Sequence, residues 1–153
     1  RLPILAELAR RFPSVKIVVN HLGGKIDVRA SDDDKASWRY AVETIAACPN
    51  AVMKLGGAQM RVGDWEPHFH MNNAKTPQGS DHFIDDLMPY YAHAIESFGP
   101  ERCMFESNFP VDKECISYRT LWNFFKKITN RLGLSDAEKN SVFYDCARST
   151  YKL

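Results

Sequence analysis

Hydrophobic positions along the chain follow two periods in turn. From Pro3 to Phe12 the apolar residues Leu5, Leu8, Ala9 and Phe12 recur at helical spacing, and Pro3 suits a first helical turn. The run Val15 to Val19 is β-branched apart from Lys16 and stops at Asn20-His21-Leu22-Gly23-Gly24, which predicts a buried strand ending in a polar, glycine-bearing loop. After Ser31 and a cluster of aspartates suited to capping, Trp38, Ala41, Val42 and Ile45 mark a second helix, closed by Pro49-Asn50. A short strand, Ala51 to Leu55, stops at Gly56-Gly57. A third helix, capped near Ser80, runs to Gly99-Pro100, and a third strand, Cys103 to Ser107, precedes Asn108-Phe109-Pro110. Two helices close the chain, Tyr118 to Asn130 and Asp136 to Ser149, the second opened by a capping box of Ser135 and Glu138.

Alternation of this kind predicts parallel strands joined by right-handed crossovers, in an α/β barrel or an open doubly wound sheet. Three strands alone would leave apolar edges unpaired. The first helix has no strand before it, the chain lacks an initiator Met, and a complete barrel needs ~250 residues. The expectation is the C-terminal part of a TIM (β/α)8 barrel, one domain over residues 1–153 with its N-terminal strands missing. The irregular stretch from about Ala58 to Ser80, rich in His, Trp, Asn, Pro and Gly, has the length of a lid or binding loop.

Composition narrows the function classes. Lys and Arg number 20 against 19 Asp and Glu, so no basic surplus favours nucleic acid. No apolar run approaches the ~20 residues that span a bilayer, and the first residues lack a signal-peptide pattern. The expectation is a soluble, cytoplasmic protein acting on a small molecule, with neither nucleic acid nor membrane as partner. Cys48, Cys103, Cys115 and Cys146 form no CxxC pair and mostly fall within apolar or helical patterns, as reduced core cysteines do.

In parallel α/β folds the site lies at the C-terminal strand ends. Each predicted strand turns polar there, at Asn20-His21, at Lys54, and at Glu106-Ser107-Asn108. His21 suits a metal ligand or a general acid/base, or alternatively a histidine that bonds a neighbouring strand or the glycine turn. Lys54 either lines the barrel or snorkels toward the helices. His68 and His70, on one side of an extended segment, suggest a substrate-contacting lid. Trp38 and Trp65 read as packing residues.

The segment Arg102-Cys103-Met104-Phe105-Glu106-Ser107-Asn108-Phe109-Pro110-Val111-Asp112 resembles the final strand of the amidohydrolase-related family, metal-dependent hydrolases of TIM-barrel fold. Val18-Val19-Asn20-His21-Leu22-Gly23 resembles the family's sixth strand and Val52-Met53-Lys54-Leu55-Gly56-Gly57 its seventh. The helix Tyr118 to Asn130 and the ending Ala147 to Leu153 also resemble its C-terminus. The resemblance implies a metal held by histidines of the first, fifth and sixth strands and an aspartate of the eighth. His21 matches the sixth-strand ligand of a divalent metal, Zn as the first choice.

Asn108 stands where the family usually has the aspartate that holds metal and takes a proton from water, and an amide cannot act as a base. Glu106 lies two positions earlier, on the same strand face. Either the carboxylate has moved, with Glu106 serving from the next barrel layer while Asn108 positions water or substrate, or Glu106 is paired with a buried cation such as Lys54. The resemblance implies a hydrolase activating water against a small ester, lactone or amide. Metal-independent hydrolysis of an electrophilic lactone, nonoxidative decarboxylation and a catalytically silent barrel used for binding are the alternatives. A flavodoxin-like domain lacks the glycine-rich phosphate loop.

Overall fold

A computed structural model describes residues 1–24, 26–58 and 79–153. Helices and strands alternate in the predicted order: α1 (Leu2–Arg11), β1 (Ile17–Val19), α2 (Asp32–Ala46), β2 (Ala51–Leu55), α3 (Ile84–Phe98), β3 (Cys103–Phe105), α4 (Tyr118–Arg131), α5 (Asp136–Asn140) and α6 (Cys146–Tyr151). The three strands form one parallel sheet in the order β1-β2-β3, with Val18 beside Val52 and Lys54 beside Met104.

That register fixes which side chains share a face. Val19, Ala51, Met53, Leu55, Cys103 and Phe105 point into the large core shared with the helices, beside Leu87, Tyr91, Phe124 and Phe125. Val18, Val52 and Met104 point the other way and pack against Cys146 and Ala147 of α6. Period-two alternation therefore sends Lys54 and Glu106 to this second face, opposite the large core. Phe105 stacks on Phe125 with ring centroids 4.3 Å apart, and Phe143 and Trp122 continue the aromatic cluster. Fully burying each such ring contributes roughly 1.5–3 kcal/mol, which holds β3 firmly against α4.

Several boundaries differ from the sequence expectation, each for a local reason. The first strand begins at Ile17 because the N–H of Val15 is turned back onto the Phe12 carbonyl at 3.0 Å, and Ile17 N–H is the first to reach across, to Asn50 O at 2.8 Å. The third strand ends at Phe105. Its last ladder bond runs from Glu106 N–H to Leu55 O at 3.2 Å, and beyond the end of β2 the Gly57 N–H is turned to the Asp112 carboxylate instead. The helix expected from Ser80 starts as a 3-10 turn, Ser80–Phe83, after Gly79, with no side-chain cap.

The closing helix is interrupted between Asn140 and Cys146 by a wider π turn, Ser141–Asp145, bridged by the Asn140 amide on the Asp145 carboxylate. The extra residue lets Val142 be fully buried while Phe143 packs on the same core. The caps at Ser31 and Ser135 are as expected: Ser31 Oγ accepts the Asp34 N–H at 3.1 Å, and Ser135 and Glu138 form a reciprocal capping box. Among the described residues no helix is long and apolar enough to cross a membrane.

Candidate active site

Because the strands are parallel, their C-terminal ends lie on one edge of the sheet, and the polar residues that follow them meet there. His21 opens a 3-10 turn directly after β1, with φ 53° at His21 and 54° at Leu22. Left-handed backbone is costly for side chains with a Cβ, roughly 1–3 kcal/mol each, and persists where surrounding structure fixes it. Trp38 of α2 supplies part of that constraint by donating its indole N–H to the Leu22 carbonyl at 3.1 Å while packing edge-on against Tyr90. Trp38 is thus the packing residue expected of it, and it also braces the His21 turn.

The His21 ring reaches Glu106: Nδ1 lies 2.6 Å from Glu106 Oε1, and Lys54 Nζ lies 2.5 Å from Oε2 of the same carboxylate. Exposures of 27% for His21, 22% for Lys54 and 13% for Glu106 leave the imidazole the most accessible of the three side chains. A carboxylate paired with an ammonium accepts hydrogen bonds and donates none. His21 Nδ1–H is therefore the donor to Glu106, and in the neutral ring Nε2 keeps a lone pair that no described residue's hydrogen bond takes up. The alternative that paired Glu106 with Lys54 describes the geometry, with His21 as a second partner that the sequence did not suggest.

Two glycines just after the middle strand make room for this contact. A Cβ on Gly56 would sit 2.2 Å from the Glu106 carbonyl oxygen, and one on Gly57 would sit 2.5 Å from His21 Nδ1. Gly57 also has φ +69°, a conformation glycine adopts without steric cost.

Asn108 leaves β3 with φ 53° and is joined to Asp112, a residue the sequence reading had not singled out. Asn108 Nδ2 donates to Asp112 Oδ1 at 2.7 Å. Asp112 is completely buried. Burial pushes its carboxyl up to about 6, against the opposing pull of the Asn108 hydrogen bond and the nearby His21. Asp112 is followed by Lys113 and Glu114, so nothing in the residue types of this turn marked it out. His68 and His70, like Trp65, lie outside the described residues.

Among the described residues no three His, Cys, Asp or Glu side chains gather as a metal-binding group. The donor chemistry of His21 fits a metal ligand, since its free nitrogen is backed by a carboxylate as metal-bound imidazoles usually are. All four cysteines are buried and form no disulfide, and burial pushes the thiols of Cys103 and Cys146 up, away from nucleophilic thiolate.

A family model described as Amidohydrolase matches residues 1–153. An uncharacterized protein of Sinorhizobium fredii is 37% identical over 147 residues, covering 96% of this chain and 42% of the relative. An L-fucono-1,5-lactonase of Burkholderia multivorans is 26% identical over 155 residues, covering all of this chain and 48% of that enzyme. The crystal structure of an amidohydrolase from Burkholderia multivorans with bound zinc superposes with a TM-score of 0.80 at 26% identity, over 99% of this chain and 49% of that one. The chain thus spans about half the length of the curated relatives it matches.

Proposed function

The chain belongs to the amidohydrolase family, and on that premise we propose that it carries strand-end residues of a hydrolase that adds water to the carbonyl of a small lactone. The observation carrying this reading is the line Lys54, Glu106, His21, which leaves one imidazole nitrogen free at the strand ends. His21 Nε2 takes a proton from water as its oxygen bonds to the lactone carbonyl carbon, and Glu106 stabilises the imidazolium that forms. The ring C–O bond then breaks, and the imidazolium returns its proton to the departing alkoxide, giving an open-chain hydroxy acid. Lys54 keeps Glu106 anionic and in place.

A lactone is favoured over an amide because its alkoxide is the better leaving group, and the lactonase name of the Burkholderia multivorans relative points the same way. In the alternative arrangement that nitrogen's single lone pair would hold a divalent metal such as zinc, which, when bound, would supply polarisation of the carbonyl in place of the proton transfer to His21. The test uses the full-length enzyme with five- and six-membered sugar-acid lactones and a pH indicator. His21→Ala should lower turnover about 10²–10⁴-fold, and metal analysis of the same variant reports whether His21 also retains a cation. Undiminished turnover in His21→Ala would remove this reading, while carbon dioxide release in place of acid would replace hydrolysis with decarboxylation.

A further inference from the structure

Asn108 and Asp112 are tied together twice. The side-chain amide donates through Nδ2 to Asp112 Oδ1 at 2.7 Å, and the Asp112 backbone N–H donates to the Asn108 carbonyl at 3.2 Å. Asp112 itself is fixed in the 3-10 turn Val111–Glu114 and has no exposed surface. An ionised carboxylate only accepts, whereas a primary amide has a donating and an accepting end. The carboxylate therefore selects one of the two orientations of the Asn108 amide, with the NH2 group toward Asp112 and Oδ1 away from it. No described residue hydrogen-bonds Oδ1.

Resting on the hydrolase reading above, we propose that Asp112 is a positioning residue that locks the Asn108 amide with its Oδ1 turned to the site as a hydrogen-bond acceptor for water or substrate. The pair then carries one negative charge, at 112, with the neutral acceptor at 108, where the family's usual residue is an aspartate. This accounts for the amide at the end of β3. An aspartate at 108 would put two carboxylates in hydrogen-bond contact, and one of them would have to hold a proton. Exchanging the two residues keeps one charge, one amide and the hydrogen bond between them.

The test is that reciprocal exchange in the full-length enzyme. In Asp112→Asn the new amide can present either end, so Asn108 is released to both orientations; kcat should fall about 10–100-fold with KM changed less than about twofold. The double variant Asn108→Asp/Asp112→Asn should return kcat to within about threefold of the parent, because an acceptor at 108 is again held by a donor at 112. A double variant no faster than Asp112→Asn, or an Asp112→Asn enzyme with parental kcat, overturns the proposal, since a purely structural aspartate gives no such rescue.

If the parent enzyme opens no lactone, the hydrolase reading fails separately, and the orientation is read by nuclear magnetic resonance on asparagine-labelled full-length protein. The Asn108 NH2 signals, identified by their loss in Asn108→Asp, should move in Asp112→Asn. Unmoved signals overturn the inference.

Discussion

His21 and Glu106 follow the two outer strands of the sheet, yet Nδ1 of one lies 2.6 Å from Oε1 of the other, over the end of the strand between them. Neighbouring strands are ~4.8 Å apart, so the contact crosses roughly twice that distance between backbones. It exists because β2 finishes in two residues without side chains, and because His21 turns back in left-handed conformation as it leaves β1.

Filling that gap should break the contact. In Gly57→Ala the methyl group falls on the His21 ring and the backbone must hold φ near +69°, at a cost of about 1–3 kcal/mol. Gly56→Ala meets backbone at 2.2 Å and should cost about 1–3 kcal/mol through overpacking. Urea unfolding of the full-length variants measures both, and turnover should fall even where folding survives.

Glu106→Gln removes the charge that faces both Lys54 and His21. The His21 tautomer is then no longer imposed, because a glutamine side chain can offer Nδ1 a donor as readily as an acceptor. Turnover should drop about 10–100-fold, as for other partners behind a working imidazole. Unchanged kcat/KM would show that Glu106 only balances Lys54.

Asp112 makes stability depend on pH in the direction opposite to most carboxylates. Its folded-state value of about 6 lies above the ordinary 3.8 of an aspartate, so between these values the native state binds more protons than the unfolded chain. Stability from this group is therefore present at low pH and is lost as pH rises through that interval. Replacing it by Asn should help more at pH 7 than at pH 4, with a difference on the order of 1–3 kcal/mol in urea midpoints. A difference independent of pH would show that the carboxyl is unperturbed.

Asn50 holds α1 to the start of β1. Its Nδ2 contacts the carbonyls of Ala9, Phe12 and Val15 at 3.1, 3.1 and 2.8 Å. Asn50→Ala leaves these acceptors without that donor and should cost about 1–3 kcal/mol of stability, read from the urea midpoint, while KM stays unchanged.

The elements were legible because burial on both faces makes parallel strands read as largely apolar runs, as at Ile17 to Val19 and Ala51 to Leu55. The polar residue after each run was legible for the same reason, which is how His21, Lys54, Glu106 and Asn108 were reached. What was not legible depends on contacts between strands that are distant in sequence. Gly56-Gly57 reads as a strand stop in one dimension and becomes the space for His21 in three. Asp112 hides because an aspartate in a turn is ordinary until burial and the Asn108 amide give it a task. The π turn at Ser141–Asp145 is invisible because a helical period and a one-residue slip look alike over so short a span.

Cys146 and Ala147 of α6 lie against Val18, Val52 and Met104, on the face that carries Lys54 and Glu106 but nearer the strand beginnings. Beneath the charged residues there is thus a greasy floor. Among the described residues that end of the face is closed by apolar side chains, so a polar group that meets Lys54 and Glu106 does so from the strand-end side.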